Sequence, residues 1–492
     1  MNPYTIPAPD PDEDTTFTTQ DWNEHGRQPI IILEDGWTAI GEEAFMDATE
    51  LLMIRIPASV LDIRANAFKG ATNLHQVDFV EDSLLQFIRE GVFDSAISLE
   101  RIHIPAAVTH IGHGAFNGAM GLEQVTFEQG SQLVMFGFQA FYGAISLASI
   151  RIPASVTTIG HEAFRSASSL VEVVFEEGSN LDFIGDAVFR DARALQSIRI
   201  PAGVTEIGDG VFQNATSLQT IHIPRLVQTI MRFAFNNATS LREVSFDQGS
   251  RLEMIREGAF MDTTSLQTIQ IPASVIDIRD LAFNNTPRLR EITFEQNSQI
   301  GYIGINNTFS RSGLTKVVIG ESALNRLNID RQAHNLPPLR FGENNYFYGK
   351  SNVKIVSRAQ QINTLQLSTK KRGYKTPPKT GFIRSLAETL RVKKRAPKTR
   401  KALPKELARN IGTFLMPAGV EPKSPAALAA RADAMEEESE EESEEESEEE
   451  AAGGARKSRR RKRGIRRKSR KASSARRIQK RKSKRRRTMK RK

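Results

Sequence analysis

The chain has 492 residues, no cysteine and a formal net charge of +10. The absence of cysteine excludes disulfide bonds, thiolate metal sites and cysteine nucleophiles. The length permits one large domain with appendages, and no apolar run is long enough to cross a membrane as a helix. The charge is unevenly divided: Lys and Arg minus Asp and Glu give −18 over residues 1–349, +16 over 350–410, −12 over 436–450 and +24 over 456–492.

Residues 1–28 are polar and contain four prolines and several acidic side chains. They lack the charged start and the apolar core of a secretory signal. We therefore predict a disordered N-terminal arm and an intracellular protein.

A repeated unit fills residues 29–319. Its most regular mark is a phenylalanine, and successive marks are 23 or 25 residues apart, with a final step of 26. A period in the twenties that is held over most of the chain predicts a repeat solenoid, here of about 12 coils. The marks are Phe45, Phe68, Phe93, Phe116, Phe141, Phe164, Phe189, Phe212, Phe235, Phe260, Phe283 and Phe309.

Each unit also predicts a short strand. In the unit that contains Leu195, apolar Ile198 and Ile200 alternate with polar residues, which is the period of a strand. One unit cannot bury such an apolar face alone, so stacked units would form a parallel sheet along the solenoid. Short units end the strand at a proline, as at Pro201, because proline has no N–H to donate.

Long units replace that proline by a turn that is two residues longer. One position of the turn holds Gly, Asn or Asp, the residues that tolerate a left-handed backbone. These residues are Asp82, Gly130, Gly178, Gly249 and Asn297. Three residues after the phenylalanine, the units from Phe45 to Phe283 hold only Ala or Thr, which predicts a tight inner column.

Units such as Ile198-Arg-Ile-Pro201-Ala-Gly-Val204-Thr-Glu-Ile207-Gly208, followed by Val211-Phe212 and Leu218, resemble the leucine-rich repeats of BspA-like proteins. That family includes bacterial surface antigens, and similar arrays occur in protists and large DNA viruses. The resemblance covers roughly three-fifths of the chain and implies a leucine-rich repeat solenoid. The chain departs from the family in two ways: it has Ala or Thr where members often carry Cys, and it lacks an export signal.

One exposed position of the predicted strands, between the two inward apolar residues, carries basic side chains, mostly in alternate coils. These side chains are Arg55, His103, Arg151, Arg199 and His222. Strands stack about 4.8 Å apart, so a basic group would recur roughly every 10 Å along the solenoid. We interpret the row as a candidate stripe for an acidic protein surface. The alternative is an ordinary solvated strand face.

No catalytic arrangement of residues stands out. His113 and His161 occupy the same place two coils apart, too far for one metal ion and without a third ligand. The glycines are turn residues, with neither a P-loop nor a dinucleotide-binding fingerprint. We therefore predict a protein that is not an enzyme and has no cofactor, no bound metal and no small-molecule substrate.

Residues 320–357 are predicted to cap the last coil, because the final unit of a solenoid has no neighbour. A basic linker with prolines and short helices follows over residues 358–435. Within it, residues 403–415 are similar to the opening of an F-box, a motif that pairs with leucine-rich repeats in ubiquitin-ligase adaptors. The alternative is a short amphipathic helix. The matching residues are Leu403, Pro404, Leu407, Ile411 and Leu415.

The end of the chain is an acidic Glu/Ser run, 436–450, followed by a basic tail, 451–492. The tail has no aromatic residue for base stacking, so we predict nuclear targeting or binding to nucleic-acid phosphates without sequence preference. The acidic run would mask the tail by charge attraction. The candidate residues are Arg459, Arg460, Arg461, Lys462, Arg463, Arg466, Arg467, Lys468, Lys480, Arg481, Lys482, Lys484, Arg485, Arg486 and Arg487.

These features support one leading hypothesis and two alternatives. The leading hypothesis is a non-enzymatic scaffold that binds a protein through its solenoid and is directed to the nucleus or to nucleic acid by its tail. The first alternative is a ubiquitin-ligase substrate adaptor that uses residues 403–415. The second is a viral structural or nucleic-acid-coating protein, which would be found in the virion.

Overall fold

The computed structural model describes residues 2–10 and 14–359. Each regular coil begins with a strand of three or four residues, continues through a turn into a strand of two residues, and returns through the turns that carry the phenylalanine. This part of the chain contains two helices, α1 (Thr19–Glu24) before the array and α2 (Glu321–Ala333) after it.

In chain order the strands are β1 (Tyr4–Ile6), β2 (Thr16–Phe17), β3 (Ile30–Leu33), β4 (Ala39–Ile40), β5 (Met53–Ile56), β6 (Asp62–Ile63), β7 (Gln76–Phe79), β8 (Phe87–Ile88), β9 (Arg101–Ile104), β10 (His110–Ile111), β11 (Gln124–Phe127), β12 (Met135–Phe136), β13 (Ser149–Ile152), β14 (Thr158–Ile159), β15 (Glu172–Phe175), β16 (Phe183–Ile184), β17 (Ser197–Arg199), β18 (Glu206–Ile207), β19 (Thr220–Ile223), β20 (Thr229–Ile230), β21 (Glu243–Phe246), β22 (Met254–Ile255), β23 (Thr268–Ile271), β24 (Asp277–Ile278), β25 (Glu291–Phe294), β26 (Tyr302–Ile303), β27 (Lys316–Ile319), β28 (Asn344–Phe347) and β29 (Lys350–Ser357).

The long strands pair only with long strands, and the two-residue strands pair only with each other. The odd-numbered strands β1 to β21 form an 11-stranded sheet, and β23, β25, β27, β29 and β28 form a sheet of five strands. The two-residue strands form one sheet of eight and one of five. All pairs are parallel except β28 with β29. The predicted parallel-strand solenoid is confirmed, and it makes about 14 turns.

A column of phenylalanine rings runs through the core. From Phe17 to Phe309, each ring stacks on the next with centroids 4.9 to 5.8 Å apart and planes within 18° of parallel. All of these rings are fully buried. Because every ring belongs to a different coil, the stacked rings pack each coil against the next, and a single coil could not bury its own ring.

The predicted turn residues and the predicted small column are also confirmed. Asp82 and Asn297 have φ of 59° and 61°, and the three glycines at the same turn position are likewise left-handed. The small residues three positions after the ring are buried from Ala48 to Thr286. Neither buried threonine leaves its hydroxyl group without a hydrogen bond. Thr263 Oγ1 and Thr286 Oγ1 each donate to the carbonyl oxygen of their coil's phenylalanine at 2.8 Å.

The prediction of a disordered arm over residues 1–28 is wrong for the part of it that the structure describes. Strand β1 pairs with β3, strand β2 pairs with β4, and α1 begins with a capping box between Thr18 and Asp21. Trp22, only 2% exposed, packs edge-on against Phe45 at 5.2 Å. The physical reason is that the first full coil would otherwise expose its apolar face, so the polar N-terminal residues supply a few large apolar side chains to cover it.

After the last coil, α2 and the β28–β29 hairpin lie within residues 320–357, the range predicted as a cap. Arg331 of α2 is fully buried. It donates from Nε to the Pro337 carbonyl oxygen at 2.8 Å and from Nη2 to the Tyr346 carbonyl oxygen at 3.1 Å, and its guanidinium lies over the Tyr348 ring at 4.9 Å. These contacts tie the helix to the hairpin, and burial raises the pKa of the Tyr348 hydroxyl well above its ordinary value.

Candidate functional site

The five basic residues predicted as a stripe occupy one row of the long-strand sheet. Each is the third residue of its strand, between two inward-facing apolar side chains, and each is exposed. The register is direct: Arg199 is paired with His222, and Arg151 with Val174 of the intervening strand. We call Arg55, His103, Arg151, Arg199 and His222 the cation row.

Members of the cation row differ in whether their side chains contact other polar side chains of the fold. The Nδ1 atom of His103 lies 2.9 Å from Thr126 Oγ1, and His222 Nε2 lies 2.9 Å from Asp247 Oδ1. The three arginines, by contrast, make no ion pair within the described residues. The arginines therefore carry the charge in this row that remains available to a ligand.

A second row, which the sequence analysis missed, runs beside the first. It consists of the acidic residue that directly follows the strand in four long units. Each side chain accepts a hydrogen bond from the backbone N–H of the residue after proline in the preceding coil. The pairs are Glu128 with Ala106 at 2.8 Å, Glu176 with Ala154 at 3.2 Å, Asp247 with Arg225 at 3.0 Å and Glu295 with Ala273 at 3.1 Å. We call Glu128, Glu176, Asp247 and Glu295 the carboxylate row.

The carboxylate row explains the Phe-acid-x-Gly/Asn-Ser pattern of these four long units. Proline has no N–H, so the first free N–H after the short-unit strand belongs to the next residue, and the acid of the neighbouring coil satisfies it. The pattern was visible in the sequence as a turn, but a hydrogen bond between coils needs the stacking register. The long-strand face is thus not uniformly basic, since rows of opposite sign lie two residues apart along the strands.

The second set of histidines, His113 and His161, lies in the turns that follow the two-residue strands β10 and β14. His161 Nδ1 accepts the backbone N–H of Asp186 at 2.8 Å, so this nitrogen is used within the fold. His113 contacts the ring of Phe138, with centroids 6.4 Å apart. Within residues 2–10 and 14–359, no group of three or more His, Asp or Glu side chains could hold a metal ion.

Carboxylates crowd each other around the two-residue strand β18. Glu206 is exposed overall, but partial desolvation of its carboxyl group raises its pKa, the negative charges of Asp186 and Asp209 raise it further, and Arg256 opposes the shift. Asp209 Oδ1 accepts the backbone N–H of Arg232 at 2.8 Å, and Asp186 Oδ1 accepts that of Asp209 at 2.7 Å. These carboxylates are therefore engaged in holding coil to coil.

The candidate residues of the tail and of the F-box-like segment lie outside the described residues. Neither of the two described helices is long and apolar enough to cross a membrane.

A family model described as the BspA type leucine-rich repeat region matches in overlapping copies over residues 27–134, 86–219, 134–253 and 246–331. Together these matches cover more than half of the chain, and they coincide with the stacked coils. No curated protein matches the chain.

Among solved structures, the chain is similar to several bacterial repeat proteins. A leucine-rich repeat protein from Bacteroides ovatus is 21% identical, with 65% of this chain and 87% of that chain covered and a TM-score of 0.43. A leucine-rich cell surface protein from Faecalibacterium prausnitzii is 24% identical, with 60% and 80% covered and a TM-score of 0.38. A leucine-rich repeat protein from Eubacterium ventriosum is 23% identical, with 63% and 90% covered and a TM-score of 0.39.

Proposed function

The chain belongs to the BspA-type leucine-rich repeat family, and from that premise we propose that it is a non-enzymatic scaffold that binds a protein through the long-strand face of its solenoid. In the same proposal, the basic tail directs the molecule to the nucleus or to nucleic acid.

The observation that carries the first part is the row of arginines at Arg55, Arg151 and Arg199. They project from a sheet whose backbone groups are already paired, and none of the three makes an ion pair within the described residues, although Asp78 is the register neighbour of Arg55. Rigid strands hold them at fixed intervals, so a partner with matching carboxylates loses little free energy in ordering this face.

The test begins with proximity labelling by the full chain and by a chain that ends at Arg358, which identifies a partner of the solenoid. The double variant Arg151→Ser/Arg199→Ser is then compared with the wild-type chain in a direct binding assay. We expect affinity to fall by about tenfold or more, because removing charged contacts from an interface commonly costs about 1–3 kcal/mol.

A matched control removes the same charge elsewhere. Arg193 and Arg288 are exposed arginines on turns outside the long strands, and Arg193→Ser/Arg288→Ser should leave the affinity unchanged. Equal affinity of the wild-type chain and the Arg151→Ser/Arg199→Ser variant would return the cation row to the role of a solvated strand face.

The second part of the proposal is supported by charge. The last 37 residues, 456–492, carry 24 Lys and Arg and no acidic residue. Such a segment attracts phosphate through counterion release, which does not depend on base sequence. It also contains the short basic clusters that are typical of nuclear localisation signals.

A further inference from the structure

The C-terminal end of the described chain lies close to one end of the carboxylate row. Strand β29 is the second neighbour of β25 in the sheet, with β27 between them. The first residue after β29, Arg358, reaches back over that distance and donates from Nη1 to the Phe294 carbonyl oxygen at 2.6 Å. Phe294 is followed by Glu295, the last member of the row, so a cation of the departing chain already lies at the row's end.

The surroundings of Arg358 support this placement. Burial lowers the pKa of its guanidinium, and the negative charge of Glu295 opposes that shift. Beyond Glu295, the corresponding positions of the short units hold buried prolines, such as Pro272, Pro224 and Pro201. The only charges at this position from β25 back to β11 are therefore the carboxylates of the row itself.

The segment that follows is strongly basic. Residues 360–410 contain 15 Lys and Arg and two Glu. The first cluster, within residues 370–379, comprises Lys370, Lys371, Arg372, Lys375 and Lys379. Its charge is opposite to that of the row.

The chain is long enough to bring this cluster onto the row. Glu176 follows β15, seven strands from β29 in the stack, which at about 4.8 Å per strand is roughly 34 Å. A fully extended chain of eleven to twenty residues spans at most roughly 36–66 Å at about 3.3 Å per residue. This length is sufficient for residues 370–379 to reach Asp247 and Glu176, and for their far end to reach Glu128.

Two members of the carboxylate row each have one carboxylate oxygen that can accept a further hydrogen bond. Glu128 and Glu176 use one carboxylate oxygen, Oε2, for the backbone N–H of the neighbouring coil, and their Oε1 atoms have no hydrogen-bond partner within the described residues. Lysine, with a compact ammonium group, suits such single oxygens.

We propose that residues 370–379 of this chain dock along the carboxylate row, as a continuation of the contact that Arg358 begins. The docked segment lies beside the cation row and leaves its arginines exposed, so an acidic partner meets a face that already carries the chain's own basic segment. The proposal concerns the chain alone and does not depend on the partner proposed above.

Zero-length cross-linking of the full chain with a carbodiimide tests this docking, because the reagent joins a lysine amine only to a carboxylate that it touches. We expect peptides that link Lys370, Lys371, Lys375 or Lys379 to the carboxylate row, mapped by mass spectrometry. A mixture of isotopically light and heavy protein at high dilution separates links within a chain from links between chains. The yield should fall at high salt, because exposed charge pairs are screened.

A double variant separates docking from mere proximity. Glu128→Gln/Glu176→Gln keeps an acceptor for both backbone N–H groups, so the fold is retained, and the links to Asp247 and Glu295 should fall several-fold because the segment loses half of its carboxylates. Asp182→Asn/Glu253→Gln, which changes two exposed acids near the two-residue strands, should leave those links unchanged.

Three results would overturn the proposal. Links from residues 370–379 spread evenly over the row and over Asp182 and Glu253 would show no docking. Row links that come mainly from Lys480 and Lys484 would assign the row to the tail. Links to Asp247 and Glu295 that persist in Glu128→Gln/Glu176→Gln would show that the row does not act as one surface.

Discussion

At the residue scale, the phenylalanine column makes each coil depend on its neighbours. Phe164 is fully buried, and its ring lies 5.2 Å from that of Phe141 and 5.8 Å from that of Phe189. Truncating a buried phenylalanine removes its transfer free energy and leaves a cavity, at a cost of about 3–5 kcal/mol. We expect Phe164→Ala to lower the thermal unfolding midpoint sharply.

The control for that measurement is Phe183→Ala. Phe183 is 45% exposed on a neighbouring two-residue strand, so its loss should change the midpoint little. Equal shifts for the two variants would contradict the assignment of Phe164 to the stacked column.

A column of glycines after the two-residue strands, at Gly112, Gly137, Gly160 and Gly185, allows the backbones of neighbouring coils to approach closely. A Cβ atom added to Gly160 would lie 2.7 Å from the Gly137 carbonyl carbon and 2.8 Å from the Phe138 amide nitrogen, and neither backbone atom can move freely. Gly160→Ala should therefore destabilise the fold, by an amount that a denaturant titration measures. Gly320→Ala is the control, because no atom lies within 4 Å of its added Cβ.

Glu206 gives a prediction about pH. Its raised pKa means that the folded state binds the proton more tightly than the unfolded state does. Ionisation of this group therefore disfavours folding as the pH rises through its folded pKa, and the fold regains that stability as the pH falls. Glu206→Gln should raise the melting midpoint at neutral pH and should gain less than the wild-type chain from mild acidification.

A melting series from neutral pH to about pH 4 would show this difference, since an ordinary Glu titrates near 4.3. Glu172→Gln, an exposed Glu on a long strand, serves as the control for loss of charge alone. A lower midpoint for Glu206→Gln at neutral pH would contradict the assignment of Glu206 as a carboxylate that the fold disfavours.

At the scale of elements, the features that could be predicted from the sequence are those that recur in many units. The strand of each unit, the left-handed turn at Gly130 and the inner column from Ala48 follow from patterns that recur many times, so each was supported by many copies. The two-residue strands were not predicted, because two residues such as Thr158 and Ile159 are too few to show a period. The carboxylate row was missed because its hydrogen bonds join residues in different coils.

The order of the N-terminal residues could not be predicted from repetition. Composition alone indicated disorder, yet Ile6, Phe17 and Trp22 are buried against the first coils. A stretch with few apolar residues can still be ordered when each of them covers a surface that a neighbour has left exposed. Repetition could not reveal this, because the stretch occurs once.

Deleting residues 1–28 tests that conclusion. The deletion removes β1, β2 and α1, and burial of each large apolar side chain such as Ile6 or Phe17 contributes about 1.5–3 kcal/mol. We expect a clearly lower melting midpoint and loss of hydrogen-exchange protection in β3 and β4. Deleting only residues 2 and 3, which precede β1, should have little effect.

At the scale of the whole molecule, the proposal divides recognition between the solenoid and the tail. For the tail, the logarithm of the nucleic-acid binding constant should fall with the logarithm of salt concentration by about 0.9 per phosphate contact on duplex DNA and about 0.7 on single strands. Removal of residues 456–492 should abolish both this binding and nuclear accumulation. Removal of residues 436–450 should strengthen binding, because an acidic competitor is lost.

The measurement is a salt titration of the intact chain and of both deletions on unrelated DNA and RNA sequences. Affinity that depends on base sequence, or a tail-less chain that binds as well as the intact one, would contradict this account of the tail.

Short and long coils alternate from Phe45 to Phe212, and this alternation has a consequence for how such a chain changes in length. From Phe116 to Phe164 the phenylalanine column advances by one long step of 25 residues and one short step of 23, or 48 residues in all. If such a block were lost or duplicated, each short coil would still stack on a long coil. The ring column, the cation row and the carboxylate row would all remain continuous. Within such an alternating stretch, related chains should therefore differ in length by whole pairs of coils, and each pair would move the two ends of the recognition face apart by about 10 Å without altering its chemistry.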